Sequence, residues 1–158
     1  MKISKSIKES SYAIYGLGLS GNSVLKFLQK KKIKNIITWD DIKNKKNKKK
    51  YNLFKKKLDE VDYIVISPGI NVQKTRFKLQ LSKNKKKIIT DLDLFYMQKI
   101  PIKSIVITGT NGKSTTCKLT QHIFKTNKFD VHLGGNIGKP ILDLKIKRKS
   151  IVIIEASS

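Results

Sequence analysis

Residues Ile105 to Thr116 read IVITGTNGKSTT, an apolar run that ends in Gly109 and gives way to a helical pattern near Lys113. A turn of this kind points backbone N–H groups at phosphate oxygens, and the helix N-terminus adds positive potential. In such loops the lysine reaches the outer phosphates and the following hydroxyl ligates Mg²⁺, which makes Lys113 and Ser114 the first candidates for chemistry. The spacing departs from the general phosphate-loop pattern, because Ile107 stands where its first glycine would, leaving the shorter G-x-x-G-K-S. Glu155 is the second candidate. It follows the apolar run Ile151 to Ile154, so its carboxylate stands at the C-terminal end of a strand, where open α/β sheets place ligands, and a hard oxygen suits Mg²⁺. A second glycine run, Gly16-Leu17-Gly18-Leu19-Ser20-Gly21, also lies between a strand and a helix, with Asp40 and Asp41 about twenty residues further on. By itself it is a dinucleotide-binding fingerprint, and the same geometry holds any pyrophosphate. A nicotinamide-dependent oxidoreductase using Gly16 to Gly21 is therefore an alternative reading.

The remaining reactive side chains point to structure more than to chemistry. His122 falls inside the helix after Lys113 and His132 in a strand, neither with a Cys, His or carboxylate at metal-ligand spacing. Cys117 is the single cysteine, which excludes an internal disulfide and reads as a packing residue. Asn136, between glycines in GGNIG, reads by itself as a turn residue tolerant of positive φ.

The elements that must position these residues alternate between short apolar runs and longer amphipathic or lysine-rich segments. That alternation predicts β-strands and helices in a largely parallel sheet, an α/β fold. Strands are expected at 12–15, 35–39, 63–67, 87–90, 104–108, 130–133 and 151–154, and helices at 21–31, 51–58, 74–83, 92–98 and 113–127. The run Lys43 to Lys50 (KNKKNKKK) reads as a solvated surface loop. Pro101 interrupts the pattern just before the phosphate-loop strand, so the expected organisation is a Rossmann-like domain over 1–98, a linker at 99–103, and the start of a P-loop-type α/β ATPase domain over 104–158. The second unit has only three expected strands and one clear helix. A sheet that small leaves apolar faces uncovered, and the expectation is that the native protein continues past Ser158.

Composition narrows the class. There are 35 basic residues against 11 acidic ones, a net charge of +24, yet all the basic residues but Arg76 and Arg148 are Lys. Arg is the residue usually chosen for base and phosphate recognition, so the excess reads as a coding bias towards Lys, Ile and Asn, and no specific nucleic-acid partner is expected. No apolar stretch reaches the roughly 18 residues of a membrane-spanning helix, and the opening residues do not form a secretory signal. A cytoplasmic, monomeric protein without a membrane partner is expected.

The short loop GTNGKST resembles the ATP site of the Mur ligases and of their relative folylpolyglutamate synthase, which join an amino acid to a carboxylate through an acyl-phosphate. Gly-Lys-Ser-Thr is similar to the D-glutamate-adding branch of that family. Gly134 to Pro140 (GGNIGKP), Glu155 to Ser158 (EASS) and Ser67 to Ile70 (SPGI) resemble further family segments, in order along nearly the whole chain. The resemblance implies ATP bound by Gly109, Thr110, Asn111, Gly112, Lys113, Ser114 and Thr115, and Mg²⁺ held near Ser114 and Glu155. Lys113 and Glu155 are then the catalytic residues. It implies UDP-N-acetylmuramoyl-L-alanine and D-glutamate as substrates, with Leu19 and Ser20 at the pyrophosphate, Asp40 or Asp41 facing the nucleoside, Gly69 allowing close approach, and Asn136 a further substrate contact. Another Mur-type ligase is the alternative within the family. The family often has Asp-Thr-Arg after the second strand, where this chain has Asp40-Asp41-Ile42, so an expected hydroxyl and cation are missing there. The family's modified lysine, further metal ligands and C-terminal amino-acid-binding domain lie beyond the E-x-S-S segment and are absent from these residues. The fragment is therefore expected to be inactive as a ligase when alone.

Overall fold

A computed structural model describes residues 6–156. Two compact units divide between Met97 and Gln98. Ser157 and Ser158, the last two residues of EASS, lie outside the described residues.

The first unit is built on four parallel strands, β1 (Tyr12–Tyr15), β2 (Ile36–Trp39), β3 (Tyr63–Ile66) and β4 (Ile88–Ile89), in the order β2-β1-β3-β4. The two central strands, YAIY and YIVI, are buried at every position, whereas the edge strand IITW is half-buried until Trp39. Parallel strands covered on both faces read as continuous apolar runs for this reason. Helices α1 (Leu19–Lys30), α2 (Lys48–Glu60), α3 (Lys78–Lys83) and α4 (Asp91–Met97) connect or follow the strands. The core on the α2–α3 side is aromatic: Phe77 packs edge-on to Tyr15 at 5.4 Å and to Trp39 at 5.6 Å, and lies 5.2 Å from Phe54. Leu58 and Leu81 complete it.

Most expected boundaries shift by one or two residues, and the two largest shifts each have a local reason. Helix α2 begins inside the lysine run, because the Asn47 side chain accepts the Lys50 N–H at 2.8 Å and caps it. Only the front of KNKKNKKK is loop. Helix α3 starts at Lys78 instead of Lys74, because Asn71 and Thr75 hold the preceding chain in turns: Asn71 accepts the Gln73 N–H at 3.0 Å and Thr75 the Phe77 N–H at 3.2 Å. Helix α4 opens on a reciprocal cap. The Asp93 carboxylate accepts the Thr90 N–H at 2.7 Å, and the Thr90 hydroxyl accepts the Asp93 N–H at 3.2 Å.

The second unit has three parallel strands, β5 (Lys103–Ile107), β6 (Val131–Gly135) and β7 (Ile151–Glu155), in the order β5-β7-β6, with α5 (Lys113–Thr126) between β5 and β6. Central β7 is wholly buried, while edge strand β5 is exposed at Lys103, Ser104 and Val106 and half-buried at Ile105 and Ile107. Val106 of β5, Leu119 and Ile123 of α5, and Phe129 before β6 are each about half exposed. Cys117 packs at the centre of this core with Val131, Ile151 and Ile153. At the opposite end of the strands from Glu155, Ser150 Oγ donates to Asp130 Oδ2 at 2.5 Å, and His132 Nε2 lies 3.1 Å from Asp130 Oδ1. His132 thus has a carboxylate neighbour that its spacing did not announce. Among the described residues no group of three or more His, Cys, Asp or Glu side chains is placed to hold a metal, and no helix is long and apolar enough to cross a membrane.

Candidate functional site

In the first unit the strand order turns at β1, with β2 on one side and β3 on the other. The loops leaving the carboxyl ends of β1 and β3 diverge there, and α/β sheets bind ligands in that crevice. The glycines that line it divide into two kinds. Gly16 has φ +92°, and a Cβ on it would come within 2.9 Å of Ser67 Cβ; a Cβ on Gly21 would come within 1.8 Å of the Gly16 carbonyl oxygen. These two glycines close the turn onto α1 and onto Ser67, whose hydroxyl donates to the Gly16 carbonyl at 2.9 Å. At Gly18 and Gly69 a Cβ would meet nothing within 4 Å. They face open space, where a ligand can approach the backbone.

Around this turn the acidic residues already have partners. Asp40 Oδ2 accepts the Leu17 N–H at 2.7 Å, and Oδ1 accepts the N–H groups of Ile42 at 3.1 Å and Lys43 at 3.0 Å. Burial raises the Asp40 pKa, but the N–H groups of Lys43, Leu17 and Ile42 outweigh it and hold the carboxyl below its usual value. Asp41 accepts the Tyr15 hydroxyl at 2.5 Å and the Trp39 indole N–H at 2.9 Å, with Arg76 Nε 3.6 Å away. Burial, followed by this bond to Asp41, pushes the Tyr15 phenol well above its usual value. Thr75 also hydrogen-bonds the Tyr15 hydroxyl. Thr75 and Arg76, from the turns before α3, thus bring a hydroxyl to Tyr15 and a cation to Asp41. Leu19 is exposed and Ser20 half-buried. The sequence did not single out Thr75 and Arg76, since no local spacing links them to Tyr15 and Asp41. A cavity of about 510 Å³, lined by Ser11, Asn35, Lys57 and Glu60 among others, lies at the amino ends of β1 and β2 and holds none of the expected residues.

In the second unit the loop from Gly109 to Lys113 leaves the carboxyl end of β5. Gly109 has φ +141° and Gly112 +72°, and a Cβ on either would meet nothing within 4 Å. Lys113 Nζ donates back to the Gly109 carbonyl at 2.5 Å. Ser114 Oγ donates to Glu155 Oε2 at 2.7 Å. Glu155 ends β7 between Ile107 of β5 and Gly135 of β6, and only 6% of it is exposed. Gly135 has φ +102°, and a Cβ there would come within 2.3 Å of the Glu155 carbonyl oxygen. That oxygen accepts the Asn136 N–H at 3.0 Å, which fixes the exposed Asn136 at the same edge of the sheet. The structure therefore brings Ser114, Glu155 and Asn136 to the carboxyl edge beside the open glycine loop. Ser114 and Glu155 form a pair of hard oxygen donors of the kind that can hold Mg²⁺ through one carboxylate and several waters. Burial, then the Glu155 charge, raises the pKa of the Cys117 thiol behind the loop.

A family model for the Mur ligase MurD-like N-terminal domain matches residues 10–90. Curated relatives match almost the whole chain. The UDP-N-acetylmuramoylalanine–D-glutamate ligase of Rickettsia bellii is 37% identical over 156 residues, covering 92% of this chain and 34% of the relative. The ligases of the same name from the Wolbachia of Brugia malayi and from Aquifex aeolicus are 39% and 36% identical, covering 100% and 93% of this chain. The chain spans about a third of the length of each. The matched N-terminal domain, together with a crevice at the turn of its parallel sheet, places the chain in the MurD-like family of Mur ligases.

Proposed function

We propose that the chain carries the substrate-handle domain and the phosphate loop of an ATP-dependent ligase that adds D-glutamate to UDP-N-acetylmuramoyl-L-alanine, a cytoplasmic step of peptidoglycan synthesis. The observation that carries this reading is the Ser114–Glu155 pair, 2.7 Å apart at the sheet edge beside a glycine loop with open space at Gly109 and Gly112. The relatives' name supplies the substrates.

In the reaction so proposed, a carboxylate oxygen of the L-alanyl group attacks the γ-phosphorus of ATP and ADP leaves. The D-glutamate amine then attacks the acyl-phosphate carbon, phosphate leaves, and the amine proton passes to solvent. Bound Mg²⁺ would supply positive charge to the phosphate oxygens, with Ser114 and Glu155 as its holders. The backbone of Gly109, Thr110, Asn111 and Gly112 cradles phosphate, and the N–H groups of Ser114 and Thr115 at the start of α5 add the helix field. Lys113, now bonded to its own loop at Gly109, exchanges that carbonyl for an outer phosphate oxygen. These residues position and neutralise charge; they form no covalent bond to substrate. Gly18, Leu19 and Ser20 hold the diphosphate, Gly69 lets the chain approach it closely, Asp40 and Asp41 order the nucleoside end, and Asn136 contacts the UDP-linked substrate.

Isothermal titration with UDP-N-acetylmuramoyl-L-alanine tests the first unit, and the expected result is saturable binding. An absence of heat at millimolar ligand, or binding of NADH in its place, overturns the reading.

A further inference from the structure

We infer that Arg76, positioned by Asp41, determines base specificity at the nucleoside end of the first unit's site. Its guanidinium donates to the O4 carbonyl of uracil, where cytosine carries an amine. This role rests on the reading that the crevice beside β1 and β2 takes a UDP-linked ligand, and names the group that chooses the base.

Asp40 and Asp41 are the carboxylates expected at the nucleoside, yet both are already committed within the protein. Asp40 accepts the backbone N–H groups of Leu17, Ile42 and Lys43. Asp41 Oδ2 accepts the Tyr15 hydroxyl at 2.5 Å, while Oδ1 accepts the Trp39 indole N–H at 2.9 Å and pairs with Arg76 Nε at 3.6 Å. What remains at this end of the sheet for a ligand is the far side of Arg76. Its guanidinium is held twice, by Asp41 at Nε and by the Tyr51 ring, whose centre lies 5.8 Å from Cζ. Among the described residues Asp41 is the one carboxylate that pairs with it. A guanidinium gripped at Nε keeps the N–H groups of its two outer nitrogens, in a fixed plane, for another acceptor.

Arg76 is half exposed and lines a cavity of about 440 Å³ with Lys45, Asn47, Lys48, Tyr51 and Asn52, at the start of α2. The charged lining donates and does not accept, because Lys and Arg carry only N–H groups. The Asn47 side-chain oxygen is taken by the Lys50 N–H at 2.8 Å. A base that enters this cavity must therefore present acceptors, and the Tyr51 ring gives it an aromatic surface to lie against. Uracil and cytosine share the O2 carbonyl next to the sugar. They differ at the far end of the ring, and with the diphosphate at Gly18 and the sugar beside β2 that end is the one that reaches Arg76. Uracil offers the guanidinium a carbonyl there. Cytosine sets an amine against it and leaves both donors unmatched.

The test is binding of UDP-N-acetylmuramoyl-L-alanine, UDP and CDP to the whole chain, read by calorimetry and by the fluorescence of Trp39, the single tryptophan, whose indole N–H is bonded to Asp41. UDP and CDP carry the same diphosphate, so the net charge of +24 acts on both alike and their affinity ratio isolates the base. The expected result is UDP binding at least about tenfold tighter than CDP, the scale of a hydrogen bond to a charged group. Arg76→Ala should bring UDP down towards CDP and weaken CDP much less. Arg76→Lys keeps the charge but loses the planar fork, and should recover little of the ratio. Asp41→Asn should also lower the ratio, because Arg76 loses the charge that orients it, while inorganic pyrophosphate binds no more weakly than to wild type. Equal wild-type affinities for UDP and CDP, or an equal loss of both in Arg76→Ala, overturns the role of Arg76 and leaves the UDP site standing. Failure of wild type to bind either the UDP-linked ligand or UDP overturns the reading of the site and this role with it. The wild-type ratio decides even if a variant fails to fold.

Discussion

Ser114 and Glu155 are 41 positions apart in the chain and share one hydrogen bond at the edge of the second sheet. Ser114→Ala removes the donor from a buried carboxylate, and leaving such a group without a partner costs about 1 to 3 kcal/mol. Lower thermal stability and at least about tenfold weaker Mg-ATP binding are expected, read by melting curves and nucleotide titration. The glycines of the first turn offer a sharper pair. Gly21→Ala drives a Cβ to within 1.8 Å of the Gly16 carbonyl oxygen and should destabilise the unit by about 1 to 3 kcal/mol. Gly18→Ala meets nothing within 4 Å, so its melting curve should stay close to wild type while its affinity for the UDP-linked ligand falls. Equal stability loss in both variants would refute this division of roles.

Asp40 and Asp91 should respond to pH with opposite signs. The native Asp40 pKa is depressed, so the stability it adds is present above the unfolded value of about 3.9 and is lost as pH falls through the native one. The native Asp91 pKa is raised, so the folded state holds that proton longer, and stability falls as pH rises from the unfolded value through the native one. Near neutrality Asp40→Asn should therefore lower the melting temperature and Asp91→Asn should hold or raise it. Melts repeated near about pH 3 should show the Asp91→Asn difference gone.

At the scale of elements, helix starts are decided by single side chains. Asn47 ends the lysine loop by capping α2, and Asn47→Ala should cost about 1 kcal/mol in a urea titration. The cap could be read from its residue type, but four other asparagines and aspartates between Asp40 and Asn52 competed for the role. What decides is that a helix beginning at Lys48 places Tyr51, Phe54 and Leu58 on the aromatic core. The third helix shows the same competition with the opposite result. Lys74 to Phe77 could extend it, yet turns at Asn71 and Thr75 bring the Thr75 hydroxyl and the Arg76 guanidinium to Tyr15 and Asp41. Propensity along the chain does not register that gain, because it depends on a strand 60 residues earlier.

For the molecule as a whole, a net charge of +24 on 158 residues means substantial self-repulsion. Adding salt from low ionic strength to about 0.15 M should raise the melting temperature, because it screens charges more than about 8 Å apart. An unchanged or lower melting temperature would show that attractive pairs dominate despite the composition.

The parallel α/β pattern, both glycine turns, and the placing of Glu155 at a strand end were legible in the sequence by itself, because each depends on residues within one strand, turn and helix. Alternation of apolar runs sets the strands, and the positive φ at Gly16 and Gly112 favours glycine. Tertiary structure alone decided which carboxylate meets which hydroxyl: Glu155 with Ser114, and Asp41 with Tyr15 beside Arg76. A hydrogen bond acts over about 3 Å, and which side chains come within that distance is set by strand order and helix packing, which no spacing along the chain records.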